Sequence, residues 1–206
     1  MVRSERKERE FNTRRAEILE QAEKIFAAKG FYNVTMAEIA GASGFSIGSL
    51  YQFFRGKEHL YKTMICEKLD LMYTEIREEV NAAKDITTKI ATLIDAHFRF
   101  VEKNTDFCRI FLRGENDALS EMMTSLRQKL IDDYFQHITF IENLMKSGIK
   151  KGFFRPLMPR EMAGLLFGVI RSTAIDWMLL PTKGSLNLKK DLIMEIFLQG
   201  VKKYDR

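Results

Sequence analysis

The residues with the greatest potential for chemistry in this sequence are three histidines and two cysteines. His59, His97 and His137 show no HExxH or other metal-binding spacing. Cys66 and Cys108 form no CxxC pair, so we interpret them as small buried thiols in a reducing compartment. The sequence also has no glycine-rich phosphate loop, nucleophile elbow or paired-carboxylate signature. These patterns argue against an enzyme, and we expect neither a metal nor a cofactor.

Small and polar side chains are concentrated instead in one segment that could contact nucleic acid. Its members are Ser46, Gly48, Ser49, Tyr51 and Gln52. On the N-terminal half of an exposed helix, such side chains can reach base edges while residues at the flanks of the helix contact phosphates. Leu50 and Phe54 would anchor that helix inward. Gly48 costs up to ~1 kcal/mol in a helix relative to alanine, and close approach to a DNA strand would explain it.

Several residues near this segment have a second interpretation that the sequence leaves open. Ile47 either faces DNA, where it can offer only apolar contact, or packs inward. Tyr51 could be a half-buried core residue, and Lys57 a solvated charge at the start of a helix. Arg14 and Arg15 could approach phosphate from the preceding helix or simply face solvent.

The elements that position these residues are all predicted to be helices. Apolar residues recur at helical spacing and alternating β-branched runs are absent, so we expect an all-α protein. Thr35 and Glu38 have the spacing of a capping box, and Gly44 can supply the left-handed conformation of a tight turn. Residues 1–10 are expected to be a disordered, solvated terminus. Helices are expected at about residues 12–29, 35–42, 46–53, 57–80, 87–103, 105–113, 117–150, 160–180 and 188–203.

Two short helices joined by a glycine-containing turn, with a supporting helix before them, form a helix-turn-helix unit. We therefore divide the chain into a three-helix DNA-binding domain over residues 1–56 and a helical ligand-binding and dimerisation domain over residues 57–206. By spacing alone the unit is a weak signal, because many helical proteins contain such a hairpin.

The residue types within this unit make the signal more specific. The strings GFYNVTMAEIA at residues 30–40 and ASGFSIGSLYQFFRGKEHL at residues 42–60 closely resemble the TetR family of repressors. The resemblance covers about residues 12–62. It implies a cytoplasmic homodimer that represses transcription from a palindromic operator on double-stranded DNA and is typically released by a small molecule bound in the body.

The resemblance also assigns contacts to individual residues. It places Thr35, Tyr51 and Lys57 against the phosphate backbone, and Ser46, Gly48, Ser49 and Gln52 in the major groove. Three residues depart from the family pattern. Ile47 stands where a polar or basic residue is frequent, Phe53 where tyrosine or histidine is common, and Gly56 where a capping serine or threonine is usual. These departures leave the fold prediction intact and affect only the individual DNA contacts.

The body is rich in aromatic residues. Between Phe98 and Trp177 the chain carries nine phenylalanines and its single tryptophan. Such enrichment either fills a large core or lines an apolar cavity. If it lines a cavity, we expect an apolar or amphipathic ligand rather than a sugar phosphate. The candidate ligand-binding residues are Phe107, Phe111, Met122, Phe135, Ile138, Phe167 and Trp177.

The last two predicted helices are apolar on two faces, so each needs cover on both sides. Pro159 can open the helix over residues 160–180, and Pro181 can close it. Packing these helices against their symmetry mates would give a four-helix dimer interface. The candidate interface residues are Leu166, Ile170, Ile193 and Phe197.

Overall charge and hydropathy bear on partners and location. The net charge of +5 is compatible with a polyanionic partner but is weak evidence for one. We expect a soluble cytoplasmic protein, because the first 15 residues lack an apolar signal region and the most apolar stretch contains Arg171 and Asp176. Two other functions stay open: a ligand-independent architectural DNA-binding protein, and a helical enzyme.

Overall fold

The computed structural model describes residues 2–116, 124–180 and 184–202, and almost all of them are helical. The prediction of an all-α protein is confirmed, since the described residues contain no strand beyond one isolated bridge between Phe154 and Lys202. The α-helices are α1 (Val2–Lys29), α2 (Met36–Ser43), α3 (Ile47–Phe53), α4 (Lys57–Ala82), α5 (Ile86–Lys103), α6 (Thr105–Asn116), α7 (Thr124–Lys150), α8 (Pro159–Leu179) and α9 (Lys190–Val201), with a 3₁₀ turn at Leu186–Lys189 before α9.

The chain forms two compact units that differ from the domains drawn from the sequence. The first unit comprises residues 1–68 and 106–126, and the second comprises residues 69–105 and 127–206. The predicted boundary at residues 56/57 falls at the first residue of α4, which then runs unbroken into the second unit. A segment distant in sequence joins the first unit because its side chains pack there. Arg113, for example, donates a 2.7 Å hydrogen bond to the carbonyl oxygen of Ala27.

The first unit is built on α1, whose inner face is apolar as the sequence predicted. Ile18, Ala22 and Phe26 are buried against α2 and its neighbours. The expectation of a disordered terminus over residues 1–10 was wrong, because α1 begins at Val2. Charged residues at helical spacing make this extension of α1 solvated without preventing it from being helical. Ion pairs such as Arg6–Glu10, at 2.8 Å, support it.

The caps of α2 confirm the predicted start and end of that helix. Thr35 Oγ1 accepts from the Glu38 backbone N–H at 3.2 Å, and the Glu38 carboxylate accepts from the Thr35 backbone N–H at 2.8 Å. The hydrogen bond from Lys29, followed by those from Thr35, lowers the pKa of Glu38 to about 2. At the other end, Gly44 adopts φ +72°, the left-handed conformation that turns the chain towards α3.

The second unit has its own core, in which α5 contacts α8 and α9. The most buried aliphatic positions of α5, Ile90, Leu93 and Ile94, face this core. Gly148 on α7 is sterically required, because a Cβ atom there would lie 2.2 Å from the buried ring of Phe154. Pro159 opens α8 as predicted. The predicted role of Pro181 lies outside the described residues.

By length and composition alone, α8 could cross a membrane. One face of α8 is buried in the core of the second unit, where Met162, Ala163 and Leu166 are fully or almost fully covered. The core helix of a soluble protein passes the same test of length and composition, so the finding is weak evidence for a span.

Candidate DNA-binding surface and ligand-binding body

Helix α3 presents one buried and one exposed face. Leu50 and the following Phe54 are 0% and 1% exposed and anchor the helix, as expected. At its start the Ser46 hydroxyl accepts from the Ser49 backbone N–H at 3.1 Å, and the two hydroxyl oxygens lie 2.9 Å apart. This cap fixes the first turn of α3, and the exposed face that follows begins at Ile47.

The exposed face settles two alternatives that the sequence left open. Ile47 is 47% exposed and Tyr51 is 52% exposed, so neither packs inward. Gly48 and Gln52 are exposed on the same short helix. A Cβ atom at Gly48 would have as its nearest neighbour the Ser46 hydroxyl oxygen, 4.0 Å away. Packing within the chain therefore does not require a glycine at this position.

Two of the predicted phosphate contacts are already engaged in intrachain bonds. The Thr35 hydroxyl donates to the Glu38 carboxylate at 2.9 Å in addition to capping α2. The Lys57 ammonium donates to the Phe31 carbonyl oxygen at 2.9 Å and lies 4.5 Å from the centre of the Phe31 ring. Lys57 is thus more than a solvated charge, because it ties the start of α4 to the loop before α2.

Arg14 and Arg15 are neighbours on α1 but have different surroundings. Arg15 makes a bidentate ion pair with Glu67, at 2.8 and 2.5 Å, and its guanidinium lies 5.5 Å from the centre of the Phe54 ring. Arg15 is therefore structural. Arg14 is exposed and lines an open groove of about 680 Å³, together with Arg9 and with Phe45 from the α2–α3 turn.

The predicted ligand-binding residues are divided between the two units. Phe107 and Phe111 stack in the first unit with ring centres 6.2 Å apart, whereas Ile138 and Phe167 are buried in the second. Met122 lies outside the described residues. For the two remaining candidates, the lining role receives no support. The ring of Phe135 is largely exposed beneath the Arg160 guanidinium, and the Trp177 indole N–H donates to the Gly184 carbonyl oxygen at 2.8 Å.

Sequence reasoning missed a buried polar cluster in the second unit. His97 on α5 and His137 on α7 bring their Nε2 atoms to 3.0 Å, and His97 Nδ1 lies 2.6 Å from the Leu93 carbonyl oxygen. Tyr73 stacks on the His137 ring at 4.6 Å. Burial, with a contribution from the charge of Asp133, raises the pKa of Tyr73 to about 12. The histidines gave no signal because they are 40 residues apart and match no motif.

The predicted dimer-interface residues require a correction. Leu166, Ile170 and Ile193 are buried within the second unit, and Phe197 is partly buried against its core. Leu166, Ile170 and Ile193 therefore have their partners within the protomer, and only Phe197 keeps part of its surface exposed. The apolar residues that remain exposed on α8 and α9 include Leu165, Val169, Leu192 and Ile196. Each pair is spaced by four residues, so each forms a stripe along one helix.

The sequence matches two family models that together span most of the chain. Residues 18–64 match the model of bacterial regulatory proteins of the tetR family, and residues 65–200 match the model of the C-terminal region of the YsiA-like protein. The chain is 21% identical over 189 residues to the fatty acid metabolism regulator protein of Bacillus subtilis, covering 90% of this chain and 94% of that protein. It is 28% identical over 163 residues to the transcriptional repressor KstR2 of Mycobacterium tuberculosis, covering 79% and 78%.

The fold is shared with solved structures of such regulators. The crystal structure of FadR from Bacillus subtilis in complex with stearoyl-CoA matches with a TM-score of 0.78 at 21% identity, over 90% of this chain and 98% of that one. With the helix-turn-helix segment and most of the body matched by the two family models, the chain belongs to the TetR family of bacterial DNA-binding transcription regulators.

Proposed function

We propose that this protein is a cytoplasmic repressor that binds a palindromic operator as a homodimer and is released when an apolar or amphipathic small molecule binds its body. The observation that carries the proposal is the exposed face of α3. Ile47, Tyr51 and Gln52 project from a helix that Leu50 and Phe54 hold in place. A rigid, exposed helix of this kind is what major-groove recognition requires.

The individual DNA contacts are proposed from the chemistry that each side chain still has available. The exposed side-chain amide of Gln52 can form hydrogen bonds with adenine, and Ile47 can contact a thymine methyl group. The bare backbone at Gly48 permits close approach to a strand. The Lys57 ammonium donates to the Phe31 carbonyl oxygen at 2.9 Å and to the Tyr32 carbonyl oxygen at 3.5 Å, so one of its three hydrogens is left for phosphate.

Dimerisation is supported by the exposed apolar stripes of α8 and α9. A run of leucine, valine and isoleucine along two neighbouring helices is costly to leave in water, and a second copy presents the same surface. Gly164 and Gly168 lie on α8, and a Cβ atom at either position would meet no neighbour within 4 Å in the chain. Close approach of a partner helix would explain why glycine occupies these two positions. The dimer would then bind two half-sites about one helical turn or more apart.

The ligand class is supported by the apolar body and by the relatives. The FadR structure from Bacillus subtilis is described as a complex with stearoyl-CoA, and a structure of KstR2 is described as a ketosteroid transcriptional regulator. Stearoyl-CoA is amphipathic, since it joins a long acyl chain to a charged coenzyme A group, and a ketosteroid is largely apolar. We propose that the ligand of this protein belongs to the same broad class, and that the protein is not an enzyme.

The DNA-binding part is tested by mapping the genomic sites that the protein occupies and measuring affinity for the selected operator by fluorescence anisotropy. Gln52→Ala should reduce discrimination at one base pair by ~1–3 kcal/mol, because a bidentate contact is lost. Gln128→Ala is the matched control, because Gln128 is an exposed glutamine on α7 bonded only to Asp132. Unchanged sequence preference in the Gln52 variant would exclude α3 as the reading helix.

The sensing part is tested by titrating the operator complex with stearoyl-CoA and with a C19 ketosteroid, with glucose 6-phosphate as a hydrophilic control. A ligand that lowers operator affinity 100-fold must favour the non-binding state by about 2.7 kcal/mol. Reciprocity requires operator DNA to weaken binding of that ligand by the same factor. Binding of the ligands with equal strength in the presence and absence of DNA would favour a ligand-independent architectural protein instead.

A further inference from the structure

Aromatic contacts hold the N-terminal half of α1 against the end of α3. The ring of Phe11 stacks on that of Phe53, with ring centres 4.5 Å apart, and the Phe53 ring lies 6.4 Å from that of Phe45 in the α2–α3 turn. Stacked rings contribute about 0.5–1.5 kcal/mol beyond the area that they bury. Residues 2–10 of α1 therefore continue the helix from a point that is fixed to the proposed reading helix.

One face of this part of α1 lines the open groove of about 680 Å³. Side chains three and four residues apart share one face of a helix. The charged residues of the groove have this spacing, and all of them belong to α1: Arg6, Arg9, Glu10, Arg14 and Glu17. The opposite wall includes Phe45, so the groove joins α1 to the helix-turn-helix unit.

The three arginines of the groove are available to a partner. Arg6 pairs with Glu10 at 2.8 Å, but both side chains remain more than half exposed, and such pairs are worth little in water. Arg9 donates one hydrogen bond of 3.3 Å to the Glu5 carbonyl oxygen. Arg14 is exposed and has no ion-pair partner among the residues that the structure describes. The groove thus offers guanidinium groups that a negatively charged partner could bind.

The shape of the groove favours an anionic polymer over a small anion. Sites for small molecules enclose most of their ligand, whereas this groove is open. Arg6 and Arg14 are eight residues apart, which is about 12 Å along α1. One strand of duplex DNA carries a phosphate about every 3.4 Å of helix axis, so about three phosphates occupy that length. Phe45 directly precedes the Ser46 cap of α3, so DNA bound to the exposed face of α3 is the polyanion that lies within reach.

We propose that this groove binds the phosphate backbone of the operator and adds a second DNA contact beside α3. Arg9 and Arg14 contact phosphate directly, and Arg6 exchanges Glu10 for phosphate when DNA binds. The match to the tetR family model begins at residue 18, so the family assignment does not cover this contact. The inference rests on the proposed function, since the operator that α3 reads supplies the phosphates.

The first test measures operator affinity of the full chain by fluorescence anisotropy at several salt concentrations. The double variant Arg6→Gln/Arg9→Gln should bind the operator and a random duplex more weakly by the same factor. The slope of log Kd against log salt concentration should fall by about 1–2, because each lost phosphate contact removes ~0.9. Glutamine is a good helix former, so α1 should stay intact, and circular dichroism verifies this.

Two single variants show whether the position of the charge matters. Lys7→Gln is the matched control, because Lys7 is an exposed cation on the same part of α1 that does not line the groove. It should leave the salt slope almost unchanged. Glu10→Gln should have the opposite effect to the arginine variant and tighten binding on all sequences, since it releases Arg6 and removes a negative charge that would face the phosphates.

A second test locates the contact on the DNA. Operators in which one phosphate at a time is replaced by a neutral methylphosphonate are titrated with the unsubstituted protein and with Arg6→Gln/Arg9→Gln. At one to three phosphates in each half-site, the replacement should weaken binding of the unsubstituted protein and have little effect on the variant. Such coupling requires direct contact, because a long-range effect of charge would weaken both proteins alike.

The inference is overturned by an unchanged salt slope in the double variant, by an equal loss in Lys7→Gln, or by the absence of any coupled phosphate. Loss of binding to an octaglutamate peptide with unchanged operator affinity would assign the groove to an acidic protein partner instead. Failure of the proposed function gives a different result. If Gln52→Ala changes sequence preference while the arginine variant binds normally, the repressor stands and the groove contact does not. If the arginine variant loses affinity for every duplex but no operator is selected, the groove contact stands and the repressor does not.

Discussion

Leu165 and Leu166 are neighbours on α8 with opposite environments, and their truncation should therefore affect different equilibria. Leu165 is 69% exposed in the protomer, whereas Leu166 is fully buried in the core of the second unit. If the exposed stripes of α8 and α9 form the dimer interface, Leu165→Ala weakens the dimer and leaves the protomer folded. Leu166→Ala instead lowers the stability of the protomer itself.

The magnitudes follow from the area that each side chain buries. Full burial of a leucine contributes about 1.5–3 kcal/mol, so covering the exposed two-thirds of Leu165 contributes about 1–2 kcal/mol. In a twofold-symmetric dimer each protomer contributes one Leu165, so the loss of binding free energy is about 2–4 kcal/mol per dimer. That corresponds to a dimer Kd raised about 30- to 1,000-fold. Leu166→Ala creates a core cavity and should cost about 2–5 kcal/mol of unfolding free energy.

Sedimentation equilibrium measures the dimer Kd, and urea unfolding followed by circular dichroism measures stability. Leu71→Ala serves as the matched control, because Leu71 is a 53% exposed leucine on α4 and belongs to neither stripe. We expect it to leave both the dimer Kd and the unfolding free energy almost unchanged. A Kd unchanged by Leu165→Ala, and also by Ile196→Ala on α9, would refute the proposed interface. A folded monomer of the unsubstituted chain at micromolar concentration would do the same.

Three further predictions concern the arginine groove, the α7 glycine and the histidine pair. Arg14→Ala should weaken binding to all DNA sequences and reduce the slope of log Kd against log salt concentration by ~1, because a single phosphate contact is lost. Anisotropy titrations at several salt concentrations measure this slope, and an unchanged slope would exclude the contact. Gly148→Ala should cost about 1–3 kcal/mol, since the new methyl group meets a buried ring; a variant with an unchanged urea midpoint would show that the ring moves aside freely. Burial lowers the pKa of His97 in the folded state from 6.5 to about 4, so between these two pH values the unfolded chain binds more protons than the folded one. The unfolding free energy must therefore fall as the pH decreases through this window. Urea unfolding at pH 7.5 and at pH 5 should show this loss of stability, and the double variant His97→Phe/His137→Phe should lose less.

Local signals in the sequence predicted the DNA-binding unit well. The capping box of Thr35 and Glu38 and the turn at Gly44 form as expected, because their geometry depends on residues within one or two turns of each other. The apolar anchors of α3 were predicted for the same reason. The engagement of Lys57 with Phe31 was not predictable, since it joins residues 26 apart through a backbone carbonyl that any residue could supply.

The body shows where helical periodicity stops being informative. When a helix has two apolar faces, one can pack in the protomer core and the other can contact a partner. The periodicity of the sequence does not show which face does which. Leu166 and Ile170 were assigned to the partner, and the structure places them in the core. The same limit applies to the aromatic residues, where Phe135 and Phe167 were both predicted to line a cavity, and the structure leaves Phe135 half-exposed and buries Phe167.

The sequence by itself determined the all-helical class, the helix-turn-helix unit and the family, because caps, turns and helical spacing are local properties of the chain. Only the tertiary structure decided which apolar face remains exposed, which arginine is structural, and that His97 and His137 meet in the core. These outcomes depend on contacts between residues tens of positions apart, such as the 40 that separate the two histidines. Burial then removes the water that would otherwise satisfy their nitrogens, and so turns two unremarkable histidines into a buried polar pair.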